Sequence, residues 1–227
     1  MNIPKIEAIG FDWDGTLVDS MSVKSQSFAE SIIAFYPKLG GHRRKIEKLY
    51  HATRGNPRTY QLALVQKRYN LNQLSREKTR RWSDLFTSLY IDKKLPLFED
   101  TIQVLDELKN RDYKLFLCSS VPQDDLERTL KMYPLENYFE LTLGTRDNGK
   151  FKKGVPHLTY ISKTISVPLD KIAFVGDGPD DVEGANEAGC FSIGKTNPKI
   201  PNSREEIQKN NPKLIIENLE ELLTYFT

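Results

Sequence analysis

Apolar residues in this chain gather into short unbroken runs, separated by longer stretches with helical periodicity. The runs are IEAIGF (6–11), KLFLC (114–118), ELTLG (140–144), KIAFVG (171–176), CFSIG (190–194) and KLIIE (213–217). They are continuous rather than alternating, as expected of parallel strands covered by helices on both faces. Between them, TIQVLDELKN (101–110) places apolar residues at 102, 104, 105 and 108. The segment from Pro122 to Met132 opens on a proline suited to a first helical turn, followed by acidic residues. The segment from Pro179 runs to Gly189, with proline at its start and glycine just past its end, the usual asymmetry of helix termini. Strands alternating with helices predict an α/β fold built on a doubly wound parallel sheet.

The stretch 20–95 breaks this rhythm. It holds amphipathic helical segments such as YQLALVQKRY and KTRRWSDLFTSLY, punctuated by the turn signals YPKLGG, RGNP and YNLNQLS, and no convincing strand. The pattern predicts a core domain formed by 1–19 and 96–227, with a helical cap domain, 20–95, inserted after the first strand. The chain returns to the core through LPLFED at 95–100.

Composition narrows the classes. With 227 residues, 38% hydrophobic and 28% charged, the chain can bury one sizeable core, or one core with a smaller inserted domain. A formal net charge of +2 makes no demand for nucleic acid or a membrane surface. The run His42-Arg43-Arg44-Lys45 reads as a solvated helix face. Two cysteines, Cys118 and Cys190, both in apolar stretches, make no disulfide framework and suit a reducing compartment. The stretch MNIPKIEAIGFDWDG lacks a long apolar segment and a small-residue cleavage site, and nothing approaches the ~20 apolar residues of a membrane span. The expectation is a soluble cytoplasmic protein.

Candidate chemistry lies where the runs end. The first run closes on Phe11-Asp12-Trp13-Asp14-Gly15-Thr16, and ligands of open parallel sheets bind beyond the carboxyl ends of the strands. In extended chain, Asp12 and Asp14 would point to one side. Such close carboxylates repel unless a cation such as Mg²⁺ intervenes. The plain alternative is a tight turn. After KIAFVG the chain reads Gly176-Asp177-Gly178-Pro179-Asp180-Asp181, where Asp177 could complete a metal site and Asp180 or Asp181 could hold metal-bound water. The alternative is acidic residues at a helix N-terminus. After KLFLC, Ser119 and Ser120 could seat a phosphate at a helix start, or serve as an ordinary cap. The loop GTRDNGKFKKG offers Lys150, Lys152 and Lys153, of which one could neutralise phosphate and nucleophile. Four predicted strands of one sheet thus present phosphate- or metal-compatible groups at one edge.

The sequence resembles the haloacid dehalogenase (HAD) superfamily over essentially its whole length, in the subgroup with a helical cap, as in phosphoglycolate phosphatases and β-phosphoglucomutases. FDWDGTLVDS is similar to the first motif of that family, LCSS to the second and VGDGPDDVEGA to the fourth. KLIIENLEELL resembles the closing strand and helix. The resemblance implies Asp12 as nucleophile, and Asp14 as acid for the leaving alcohol and then base for water. It implies Thr16 and Ser119 as phosphate contacts, with Ser120 beside them. It implies Mg²⁺ bound by the Asp12 carboxylate, the Asp14 main-chain carbonyl and Asp177, with Asp181 in an outer position. For the lysine motif, Lys153-Gly154 fits the family dipeptide, and Lys152 fits the spacing to the last motif about as well; Lys153 is preferred.

An acid at position 14 favours phosphomonoester chemistry over dehalogenation, because an alkoxide leaving group needs a proton. A small phosphorylated metabolite is the implied partner, the protein being a monomer or homodimer. Two rivals stand beside the phosphatase. A phosphosugar mutase is suggested by Arg54-Gly55-Asn56-Pro57-Arg58, which looks somewhat like a mutase cap motif. MSVKSQSF, however, offers Lys24 where mutases carry a histidine. A non-catalytic phosphate-binding module would be expected to have lost one of Asp12, Asp14 or Asp177. Arg54 and Arg58 are the cap candidates for an anionic substrate, with ordinary surface charge as the alternative.

Overall fold

The computed structural model describes residues 4–53, 56–135, 137–146, 150–200 and 202–227. These divide into two compact units, one formed by Met1–Asp19 with Lys94–Thr227, the other by Ser20–Lys93.

The first unit is built on six parallel strands: β1 (Ala8–Phe11), β2 (Lys114–Pro122), β3 (Leu141–Thr145), β4 (Ile172–Gly176), β5 (Phe191–Lys195) and β6 (Leu214–Ile216). Their order is β3-β2-β1-β4-β5-β6. Each apolar run of the sequence supplies one strand. The sheet has apolar packing on both sides, which is why the runs do not alternate. One face gathers Ile9, Phe11, Leu115, Leu117, Val175 and Ile193. The other gathers Ala8, Phe116, Cys118, Phe174 and Ile172. Burying a side chain of this size stabilises the fold by about 1.5–3 kcal/mol.

Strand β1 lies between β2 and β4, with Phe11 beside Leu117 on one flank and Val175 on the other. The strand order reverses there, so the carboxyl end of β1 opens at the switch point where ligands of such sheets bind. The order of helices around the sheet follows the chain. In the first unit, α5 (Thr101–Asn110), α6 (Gln123–Leu130), α7 (Val155–Ile165), α8 (Pro179–Ala188) and α9 (Ser203–Gln208) precede successive strands, and α10 (Leu222–Tyr225) follows β6. Pro179 is the first residue of α8, and Gly189 ends it in the left-handed conformation at φ 79°, as the sequence led one to expect. Pro122 lies just outside α6 rather than in its first turn, because β2 continues through it.

The second unit is helical: α1 (Met21–Phe35), α2 (Arg43–Ala52), α3 (Arg58–Arg68) and α4 (Arg76–Ser88), with a 3₁₀ turn at Pro37–His42. Ser75 caps α4 by accepting the Lys78 N–H at 3.3 Å. Aromatic rings fill its core. Phe28 meets Trp82 and Phe86 edge-on at 5.9 and 5.7 Å, and Trp82 stacks on Phe86 at 6.3 Å. Trp82 and Phe86, a helical turn apart in the sequence, are therefore core residues.

Candidate active site

The strand β1 delivers Asp12 to the carboxyl edge, where its N–H donates to the Val175 carbonyl at 2.8 Å. The chain does not stay extended beyond it. The N–H groups of Leu17 and Val18 both donate to the Trp13 carbonyl, and Gly15 takes φ 83°. Asp12 and Asp14 are consequently separated by a turn rather than carried along one side of a strand. Asp12 is buried and Asp14 half-buried. Trp13 packs into the core under this turn, edge-on to Tyr133 at 5.3 Å.

Strand β4 ends at Gly176, so Asp177 emerges next to Asp12, and the first turn of α8 presents Asp181. Asp12, Asp177 and Asp181 are all buried, and each places a carboxylate oxygen within 4.8 Å of the other two. The Asp14 carboxylate is outside this group. Asp181, given an outer position by the family pattern, has an oxygen within the same distance. Its Oδ2 also accepts the Gly178 N–H at 3.0 Å, closing the N-terminus of α8.

Two glycines permit the convergence. A Cβ on Gly15 would lie 2.3 Å from Asp177 Oδ2, and one on Gly176 would lie 2.2 Å from Asp181 Cγ. Gly15 also needs its positive φ, which β-carbon-bearing residues rarely adopt.

Lys153 enters from the residues preceding α7. Its ammonium donates to Asp12 Oδ1 at 2.9 Å and sits 2.6 Å from Asp181 Oδ1 and 3.7 Å from Asp180 Oδ2. Burial opposes the charge on Lys153, but the Asp12 and Asp181 carboxylates outweigh it and hold the ammonium protonated, with its pKa well above the ordinary lysine value. Burial pushes Asp12 up to about 7 against the pull of Lys153, with Asp177 and Asp14 adding repulsion. Burial likewise pushes Asp181 up to about 8, again against Lys153. Three buried carboxylates answered by one lysine hold more negative charge than a buried site retains without a counter-cation. The oxygen-only donor set fits a hard divalent ion such as Mg²⁺.

The remaining candidates fall as follows. Thr16 Oγ1 is fully buried beside the turn, without a hydrogen-bond partner, a donor available to an anion. Ser119 is buried near the end of β2, where its hydroxyl accepts the Val121 N–H at 3.2 Å. It belongs to a strand, not to the helix start expected from the sequence. Ser120 is exposed, and its carbonyl accepts from Thr145 Oγ1. Lys150 and Lys152 are exposed. Arg54 lies outside the described residues. Arg58 donates to Ser83, Thr87 and Tyr90 hydroxyls at 3.4, 2.6 and 2.8 Å and lies over the Phe86 ring at 5.0 Å. Lys24 is buried, 5.0 Å above the Tyr90 ring. His157 is buried against Phe151. Sequence reasoning passed over Lys195, which is buried at the carboxyl end of β5. Its signal was a cation directly after the apolar run CFSIG.

Comparison with known proteins identifies the family. The model of the haloacid dehalogenase-like hydrolases matches residues 6–189. The chain belongs to this family, and within it is a phosphatase-type hydrolase. It is 29% identical over 220 residues to a phosphoglycolate phosphatase of Photorhabdus laumondii, covering 96% of this chain and 92% of that protein. It is 24% identical over 232 residues to the phosphoglycolate phosphatase of Escherichia coli K12, covering 96% and 91%. Among solved structures, a predicted phosphoglycolate phosphatase from Haemophilus somnus superposes with TM-score 0.80 at 21% identity, covering 100% of both chains. A haloacid dehalogenase-like hydrolase from Streptococcus pneumoniae gives TM-score 0.76 at 21% identity, covering 98% and 99%. At these identities the structural likenesses speak for the fold.

Proposed function

We propose that the protein hydrolyses a small phosphate monoester, phosphoglycolate- or sugar-phosphate-like, in a Mg²⁺-dependent reaction through an aspartyl-phosphate on Asp12. The observation that supports this reading is the meeting of Asp12, Asp177 and Asp181 within 4.8 Å, with Lys153 bridging Asp12 and Asp181. Asp12 Oδ attacks phosphorus in line, and the bond from phosphorus to the leaving alcohol oxygen breaks. Asp14 gives its proton to that oxygen, then takes one from the water that hydrolyses the acyl phosphate. Lys153 holds Asp12 in place and offsets the anionic charge. Thr16 and Ser119 donate to phosphoryl oxygens. Asp12, Asp177 and Asp181, with the Asp14 carbonyl, would hold the metal. Bound there, Mg²⁺ supplies electrophilic stabilisation of a phosphoryl oxygen.

The same proposal assigns the unit Met1–Asp19 with Lys94–Thr227 to catalysis and the helical unit Ser20–Lys93 to substrate selection, as a family cap. Among the described residues no helix is long and apolar enough to cross a membrane, and we place the reaction in the cytoplasm. The direct test measures phosphate released from p-nitrophenyl phosphate and from a panel of phosphorylated metabolites, with and without Mg²⁺. Release that requires Mg²⁺, and is lost in Asp12→Asn, is the expected result. Interconversion of two sugar phosphates without net release would favour the mutase instead. No turnover of any ester would reject the enzyme reading.

A further inference from the structure

Lys195 is a buried cation that the proposed chemistry leaves without a task. It closes β5, where the register pairs Val175 with Ile193 and Gly176 with Gly194. The residues that follow this pair are Asp177, just past the end of β4, and Lys195, the last residue of β5. Lys195 is only 2% exposed, and its Nζ sits 3.5 Å from the centroid of the Phe98 ring. Burial of an ammonium is costly unless anions answer it. Burial lowers the pKa of Lys195, and Asp177 leads the carboxylates that oppose this, ahead of Asp100 and Asp19. Asp100 Oδ2 accepts the N–H groups of Leu219 and Glu220 at 2.6 and 3.0 Å, and Asp19 pairs with Lys199.

Asp12, Asp177 and Asp181 converge on one ammonium, that of Lys153. A second cation at the end of β5 lowers the negative charge that would hold a divalent ion and raises the positive charge that a phosphate dianion meets.

We propose that Lys195 is a positioning residue that sets the charge of the site through Asp177. It weakens the site's hold on the divalent cation and strengthens the hold of the cation-loaded site on phosphate. This inference rests on the metal site under Proposed function. It concerns a residue outside the motifs that carry the family resemblance.

The test is calorimetric and does not depend on turnover. Mg²⁺ is titrated into wild type and Lys195→Met, and inorganic phosphate is then titrated into each Mg²⁺-saturated protein. Methionine keeps the apolar stem against Phe98 and deletes the charge. A charge this close, at an effective dielectric of about 20, changes affinity by about tenfold or more. The expected result is about tenfold tighter Mg²⁺ and about tenfold weaker phosphate, two shifts of opposite sign. A merely structural role would weaken both together. Unchanged affinities, or parallel weakening in a variant whose circular dichroism is native, would overturn the inference. Should Lys195→Met fail to fold, Lys195→Gln must show the same opposed shifts. Wild type that takes up no Mg²⁺ would sink the metal site and this inference with it. Mg²⁺ binding by wild type with an indifferent variant would sink the inference alone.

Discussion

The helical unit and the α/β unit handle charge in opposite ways. Ser20–Lys93 holds fifteen Lys and Arg against five Asp and Glu, whereas the rest of the chain holds eighteen against twenty-six. In the helical unit the cations stay mostly outside. Arg43, Arg44, Lys45 and Lys48 of α2 are exposed, while Ile46, Leu49 and Tyr50 face inward. Where Arg58 turns inward, it meets three hydroxyls and an aromatic face. The α/β unit instead buries Asp12, Asp177, Asp181 and Lys195, with the Lys153 side chain only 10% exposed among them. Burying charge in this way opposes folding. A region that gathers so many buried charges has been shaped by something other than stability, and the site chemistry accounts for it.

The contrast can be broken most sharply at Asp12. Asp12→Asn should reduce turnover of p-nitrophenyl phosphate by about 10⁴-fold or more, as expected when a nucleophile is removed, with unchanged circular dichroism. Appreciable residual turnover would count against Asp12 as nucleophile. Next in size is Lys153→Met, which leaves the Asp12 and Asp181 carboxylates without their cation. Removing one partner of a buried pair costs about 3–5 kcal/mol, so denaturant titration should show a loss of that order, partly recovered by Mg²⁺. Recovery by Mg²⁺ would tie the cost to charge rather than packing.

In the helical unit the expected loss is smaller. Arg58→Met deletes hydrogen bonds from a charged donor, each worth about 1.5–3 kcal/mol at most, while the Phe86 contact is kept in part. A loss of about 2 kcal/mol measured by urea titration fits a neutral polar cluster. A loss as large as that of Lys153→Met would erase the distinction between the units. A pH-dependent effect concerns His157. Burial, then the charge of Lys153, pulls its pKa down to about 4. The unfolded chain, with an ordinary value near 6.5, takes up a proton that the native state refuses. Stability therefore falls as pH drops from about 6.5 towards 4, by at most about 1.4 kcal/mol per pH unit. His157→Gln should flatten that part of the urea midpoint profile. An unchanged slope would remove His157 from the account.

Much of this was legible in the residues. The six apolar runs, the helix at 101–110 and the helix after Pro179 follow from local pattern, because periodicity reports which faces are buried. Asp12 and Asp177 could be picked out because each directly follows an apolar strand. Other features were closed to that reasoning. Ser119 and Ser120 read as a helix start, since a Ser-Ser-Val-Pro sequence gives no sign that β2 continues to Pro122.

By itself, the sequence determined the strands, most of the helices and the edge of the sheet at which acids collect. Those properties depend on a residue and its neighbours within a turn or two. Only the tertiary structure decided that Lys153, rather than Lys150 or Lys152, reaches Asp12 across 141 positions of chain. It alone drew Asp181 in among the carboxylates while leaving the Asp14 side chain out, and buried Lys195 over the Phe98 ring. These outcomes depend on strand order, register and the two glycines that let carboxylates approach. Distance in space is set by packing of the whole sheet, and no local pattern encodes it.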